Sequence, residues 1–233
     1  MEHWLYFDEL DSTQTYLKKH AHTLPHRTVV CAARQTAGRG RYERKWISAD
    51  GGLYFSVLLK PTQTDFLPNL TQLMALCVCR ALEDLGLTPV LKWPNDVQVN
   101  GQKICGILSE ALFEGRACEV MLGVGINVAQ EGLDRVDQPA TSLKAQGVAV
   151  DTRTLLRSVL SYFWQGYEDV IARGFETIRA AYVKRFAALG KQVSVHNQTQ
   201  TIFGTAEDIS PRGTLLLRSE GQLKEIYIGD VMV

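Results

Sequence analysis

The sequence predicts an α+β fold: a mainly antiparallel mixed sheet with helices, followed by a small C-terminal β module. Three observations carry this. Strand-length apolar runs at Thr28–Ala33, Leu53–Leu59, Ile104–Glu110 and Glu119–Val128 occur alongside residues recurring at helical spacing. An Asn100-Gly101 pair between alternating runs is a strong hairpin signal. After Gly190 the chain holds only short β-type runs broken by Asn197, Ser210-Pro-Arg-Gly213 and Ser219-Glu-Gly221.

Residues 1–10 read as a short strand. Asp11, Ser12 and Thr13 offer N-caps for a helix through about His20. Thr28–Ala33 reads as a strand and Leu53–Leu59 as a second, buried one. Leu70, Leu73, Met74, Cys77, Val78, Ala81, Leu82 and Leu85 recur at helical spacing and stop at Gly86. Val97–Ile104 is the hairpin, and Ile104–Glu110 and Glu119–Val128 complete the sheet. Two helices follow, about Thr152–Ile171 and about Phe175–Leu189. These divide the chain into a domain over 1–189 and a module over 190–233. About 43 residues is little for an independent core, so the module is expected to pack on the larger part.

The 233 residues are 45% hydrophobic and 21% charged, ordinary for a globular protein. Lys plus Arg equals Asp plus Glu at 25 each. A neutral balance disfavours bulk nucleic-acid or anionic-membrane binding. No apolar run reaches the length of a membrane span, and the acidic start lacks a signal-peptide layout. The five cysteines sit mostly in apolar runs and read as buried, reduced thiols, which points to the cytoplasm.

Four features carry chemistry. Gln35-Thr-Ala-Gly-Arg-Gly-Arg-Tyr-Glu-Arg-Lys-Trp46 packs two glycines, three arginines and a lysine between apolar strands. Such a loop suits an anion, because glycines admit close approach and arginines present planar donor forks. A solvated basic hairpin is the plainer alternative. Arg39 and Arg41 share a face if the backbone is extended. Trp46 offers an indole for stacking on a flat ligand.

Lys92-Trp-Pro-Asn-Asp96 reads either as a turn before Val97 or as a site with Asp96 as acceptor. Lys103 is either a solvated charge or a cation that neutralises a transferring phosphoryl group. Gly123-Val-Gly-Ile-Asn127 places alternating glycines near the end of a buried strand, where a ligand can approach closely. Its Asn127 amide suits base recognition. No third glycine follows at dinucleotide-fold spacing.

Together these features resemble the biotin–protein ligases. The matching segments are Gln35–Arg41 with Trp46, Gly52-Leu-Tyr-Phe-Ser56, Lys92–Asp96, Lys103-x-x-Gly106-Ile-Leu and Gly123–Asn127, with Ser12-Thr13 ahead of them. The motifs run in order over residues 8–128, and the tail resembles the family's small C-terminal module. The resemblance implies a catalytic domain like that of class II aminoacyl-tRNA synthetases and an SH3-like β-barrel. It implies that biotin and ATP form biotinyl-5′-AMP, and that a lysine of a biotin carboxyl carrier protein then accepts the biotin. Mg²⁺ is expected with ATP, with no ligands assigned.

By the same resemblance, Lys103, Arg41 and Asp96 are the candidate catalytic residues. Ser12, Thr13, Gln14, Gln35, Gly38, Arg39, Gly40, Arg41, Lys103 and Gly106 would bind biotin. Arg39, Arg41, Arg44, Trp46, Asn95 and Asn127 would bind ATP. Gln14 departs from a frequent Asn, and Tyr42-Glu43 replaces more basic or smaller residues. The chain opens on the catalytic strand, so a repressor function is not expected. Exposed sheet edges can pair with the carrier or in a homodimer. A lipoate–protein ligase lacks the Gly-Arg-Gly-Arg loop followed by Lys-Trp-Pro-Asn-Asp. A nucleic-acid module leaves Lys103 and Asn127 unexplained.

Overall fold

A computed structural model describes residues 2–115, 117–136, 138–197 and 199–232. Seven strands form the large sheet: β1 (His3–Leu10), β2 (Thr28–Gln35), β3 (Leu53–Leu59), β4 (Pro89–Lys92), β5 (Asp96–Val99), β6 (Gln102–Glu114) and β7 (Ala117–Ile126). Their order is β1-β2-β3-β7-β6-β5-β4, with β1 parallel to β2 and every other pair antiparallel. The expected Asn100-Gly101 turn joins β5 to β6, and both residues have positive φ, 51° and 75°.

Strand alternation sorts the two faces. Phe55, Val57, Leu122, Val124 and Ile126 point to one side, which α2 (Leu67–Glu83) and α3 (Thr152–Arg173) cover. Val30, Leu58 and Met121 point to the other, where α1 (Thr13–His20) buries Leu17. Ser56, Gly106, Gly123 and Gly125 lie on this second face in paired register: Ser56 opposite Gly123, and Gly106 opposite Gly125. Beyond α1 the sheet therefore presents small residues, and a cleft forms there.

Helix α1 starts where expected, with Ser12 as N-cap accepting from the Thr15 N–H at 3.5 Å. The last predicted helix is shorter than its apolar pattern. It runs as α4 (Glu176–Val183) and stops before Leu189. The chain beyond it pairs with β4 instead: Leu91 N–H donates to Arg185 O, and Ala187 N–H donates to Leu91 O. Edge-strand hydrogen bonds outcompete helix continuation there. Strand β4 itself escapes sequence reading because four residues opening on Pro give almost no pattern.

Five strands build the C-terminal sheet: β8 (Gln192–His196), β9 (Thr201–Ile209), β10 (Leu215–Ser219), β11 (Gln222–Ile226) and β12 (Asp230–Met232). The order is β11-β10-β9-β8-β12, all antiparallel. Val193, Val195, Ile209, Leu217 and Val231 join the same apolar cluster as α2 and α3. Buried polar links add direction: Gln72 Nε2 and Trp93 Nε1 both donate to Gly213 O, at 2.7 and 3.0 Å.

Candidate active site

A cavity of about 890 Å³ opens on the α1 face of the large sheet. That volume suits a small-molecule or cofactor site. Of the residues singled out in the sequence, Ser12, Thr13, Gln14, Gln35, Arg39 and Gly40 line one part of it. Arg41, Arg44, Trp46, Asn95 and Asp96 line another part of it. Lys103, Gly106 and Asn127 complete the set. Segments up to 115 residues apart in the chain thus meet in one place, Ser12 to Asn127.

Gly38 is the exception. It lies behind the loop, where its carbonyl accepts from Trp46 N–H at 3.0 Å. A Cβ there would meet Ser48 Oγ at 2.5 Å. Its smallness serves the turn of the loop.

One end of the cavity is a connected polar chain. Gln14 Nε2 donates to Met121 O at 2.9 Å, and Ser56 Oγ donates to Gln14 Oε1 at 3.1 Å. Thr13 Oγ1 and Ser56 Oγ are 2.8 Å apart. Gln35 Oε1 accepts from Thr13 N–H at 2.8 Å, while Gln35 Nε2 donates to Ser48 Oγ at 2.8 Å. Buried polar groups linked in this way hold one another's orientation. Such a chain suits a neutral ligand that carries both donors and acceptors. Gln14 is buried and reaches β7, and a Cβ on Gly123 would meet its Oε1 at 2.7 Å. Sequence reading gave Ser48 no role and named Ser56 only within the matched Gly52–Ser56 segment; Gly123, expected to admit a ligand closely, also makes room for Gln14.

The middle of the cavity is cationic. Lys103 Nζ lies 2.8 Å from Asp96 Oδ1, with both side chains largely buried. The ammonium also sits over the Trp46 ring, 5.3 Å from its centroid. The plainer reading of Lys103 as a solvated hairpin charge therefore fails. The turn comprises Trp93–Asn95, and Asp96 opens β5 rather than closing the turn.

Two of the amides expected at the ATP site already make hydrogen bonds within the chain. Asn127 is buried, and its Nδ2 donates to Thr141 O at 2.9 Å and to Lys103 O at 3.4 Å. Its Oδ1 accepts from Gln130. The amide thus clamps the 139–143 segment alongside Lys103 at the cavity wall. Asn95 is similarly engaged: Nδ2 donates to Ile107 O at 2.9 Å and Oδ1 accepts from Arg41 at 3.0 Å.

The arginine loop also departs from an extended hairpin. Arg41–Glu43 form a 3₁₀ turn, with Tyr42 at φ 53° and ψ 40°. Arg39 and Arg41 consequently diverge. Arg39 pairs with Glu110 at 3.6 Å, while Arg41 turns to Asp230 of the C-terminal sheet at 2.9 Å. Tyr42 packs beneath Arg41, its ring centroid 4.8 Å from the guanidinium carbon. The Glu43 side chain lies outside the described residues. His196, Asp230 and Met232 bring the C-terminal sheet to the cavity wall, and Arg135 adds a further cation.

The five cysteines lie apart from this chemistry. All are buried, and burial pushes the Cys31 and Cys77 thiols up to about 12.

Comparison with known proteins follows the same division. Residues 6–127 match the Biotin/lipoate A/B protein ligase family, and residues 188–233 match the Biotin protein ligase C terminal domain. The chain is 36% identical to the Bifunctional ligase/repressor BirA of Bacillus subtilis, over 99% of this chain and 74% of that protein. It is 32% identical to the Biotin--[acetyl-CoA-carboxylase] ligase of Paracoccus denitrificans, over 95% of this chain and 96% of that protein. The structure resembles the biotin protein ligase of Aquifex aeolicus in complex with biotin and ATP. The TM-score is 0.89 at 32% identity, over 100% of this chain and 98% of that one.

Proposed function

Since the chain belongs to the Biotin/lipoate A/B protein ligase family, we infer that it is an ATP-dependent biotin–protein ligase acting on the carrier of a biotin-dependent carboxylase. The observation that carries this reading is the convergence of the loop, Asp96, Lys103 and the Gln14–Ser56–Gln35 chain on one cavity, in a fold shared with an enzyme that binds biotin and ATP. The neutral donor–acceptor chain suits the ureido ring of biotin. The cations beside it suit a carboxylate and a phosphate chain.

In the first step a biotin carboxylate oxygen bonds to the α-phosphorus of ATP, and the bond to pyrophosphate breaks. Two anions must approach, so the site has to supply positive charge and alignment. Lys103, buried and held by Asp96, would do this. In the second step the carrier lysine nitrogen attacks the acyl carbon and AMP leaves. Asp96, at the same position, would orient that amine. Arg39 and Arg44 retain exposed guanidinium surface for the phosphates, with side chains 43% and 65% exposed. Trp46 would stack on the adenine.

Among the described residues, no cluster of three or more His, Cys, Asp and Glu side chains forms a metal cage. The cavity carboxylates Asp96 and Asp230 are both paired with cations. Mg²⁺ would arrive with the nucleotide and neutralise phosphate charge. We take residues 1–189 as the catalytic part and 190–233 as the module. Five reduced thiols suit the cytoplasm. The edge strand β1 suits pairing with the carrier or with a second copy, whereas the β4 edge is covered by residues 185–187.

The test is ATP–pyrophosphate exchange with and without biotin. Exchange that depends on biotin supports the reading, and its absence in active buffer overturns it. Exchange that depends on lipoate would favour the related lipoate activity.

A further inference from the structure

We propose that Asp230 of the C-terminal module is a positioning residue for the ATP half-reaction, anchoring the glycine–arginine loop through Arg41 and setting Arg44 at the cavity wall. The proposal rests on the reading above, in which cations of this loop hold the phosphate chain.

One carboxylate serves both arginines. Asp230 Oδ1 accepts from Arg41 Nη1 at 2.9 Å, and Oδ2 lies 2.7 Å from Arg44 Nη1. The two arginines differ in what they have left. Arg41 is largely buried, and both of its terminal nitrogens are engaged. Nη1 also donates to Asn95 Oδ1 at 3.0 Å and to Gly229 O at 3.3 Å. Nη2 donates to Tyr42 OH at 3.0 Å and to Gly229 O at 3.3 Å. Four acceptors on three separate chain segments surround this one guanidinium. That is the environment of a structural hub, with little donor capacity left for a ligand. Among the described residues Arg44 pairs with Asp230, and its guanidinium carbon lies 5.9 Å from the Tyr42 ring centroid; the side chain remains 65% exposed, so most of its fork is free to meet an anion.

The carboxylate is itself fixed. Asp230 opens β12, which pairs with β8 through Asp230–His196, Val231–Val195 and Met232–Ser194. Val231, the next residue, is buried in the shared core. Backbone hydrogen bonds hold the base of the loop, with Thr36 and Ala37 N–H donating to Leu10 and Asp11 O, and a single Arg39–Lys45 bridge closes it; at the Arg41–Arg44 tip, order also passes from the core through β12 and Asp230. This gives the C-terminal module a part in the active site that does not require it to touch substrate.

The loop contains Arg39, Arg41, Arg44 and Lys45, so trypsin reads its order directly. In the ligand-free full chain, Asp230→Ala should be cleaved in the loop about ten-fold faster than wild type. In biotin-dependent exchange the same variant should raise KM for ATP about ten-fold, with KM for biotin and kcat changed by less than about three-fold. Asp230→Glu, which keeps the charge, should recover most of both effects. Asp230→Asn keeps the shape and provides a second variant if alanine impairs folding, which a circular dichroism melt would reveal. Wild-type cleavage and wild-type KM for ATP in the folded variants would overturn the proposal. So would a lowered KM for ATP, since Asp230 would then compete with phosphate. Failure of wild type to exchange with biotin would instead refute the ligase reading, and the proteolysis would still decide whether Asp230 anchors the loop.

Discussion

Trp46 lies against Gly125 so closely that a Cβ on that glycine would overlap the indole at Cε2 and Nε1. Gly106, the register partner of Gly125 on β6, is constrained in the same way: its Cβ would lie 2.9 Å from Trp46 Cζ3. The indole thus lies across two strands stripped of side chains. The alternating glycines do permit close approach, but the group that approaches is this chain's own tryptophan. With one face on the sheet and Lys103 beside it, the ring is held in a single orientation for stacking.

Gly125→Ala should therefore push the indole off the sheet. We expect biotin-dependent exchange to fall at least about ten-fold, chiefly through KM for ATP, because the stacking surface is lost. Stability should fall by about 1–3 kcal/mol from overpacking. Exchange kinetics, a urea melt and the tryptophan emission maximum report the three effects. Wild-type kinetics with unshifted emission would refute the coupling.

Ser56 connects Gln14 to Thr13 in the polar chain. Ser56→Ala leaves Gln14 Oε1 without its hydroxyl donor in a buried site, at a cost of about 1–3 kcal/mol. The chain then loses its alignment. KM for biotin should rise about ten-fold while KM for ATP changes little, which isothermal titration with biotin alone would confirm. Equal biotin affinity in the variant would show that the chain is only structural.

How far the sequence reveals this site depends on how local each contact is. The Gly–Arg loop, Lys92–Asp96, Lys103 and Gly123–Asn127 are compact segments whose unusual composition is visible in one dimension, and the cavity gathers them. The hairpin at Asn100-Gly101 is equally local. Ser56 is legible only as the end of the matched Gly52–Ser56 segment, because its contact appears only when strand alternation turns it toward Gln14. Asp230 is 189 residues from Arg41, and a Gly-Asp pair near a chain end carries no signal. The engaged amides of Asn95 and Asn127 are hidden for the same reason: residue type reveals donors and acceptors but not what already satisfies them.

Lys103 and Asp96 form a buried pair, so removing one strands the other. Asp96 Oδ1 already lacks a well-aligned hydrogen bond. Lys103→Ala should cost about 3 kcal/mol in stability for that reason. It should also cut adenylate formation about 10²-fold or more if the ammonium stabilises the transition state. The double variant Lys103→Met/Asp96→Asn should regain most of the stability without regaining activity. Parallel melts and single-turnover adenylation separate the two effects. Recovery of activity in the double variant would remove Lys103 from the chemistry.

His26 gives stability a pH dependence away from the site. Burial holds its ring below the usual histidine range, and the nearby Arg27 charge adds to this. The neutral ring is also needed structurally, because Nδ1 accepts from Lys60 N–H at 2.9 Å. In the unfolded chain the ring titrates near its ordinary value of about 6.5. As pH falls, the unfolded state therefore takes up the proton first. His26 thus contributes stability above about pH 6.5 that is lost as pH falls through the lower folded value. His26→Asn retains an acceptor for Lys60 N–H without titrating. Between pH 7 and about pH 5, the wild-type Tm should drop further than that of the variant, by about 2 °C or more. Parallel Tm curves across that range would show that protonation of His26 leaves the fold untouched.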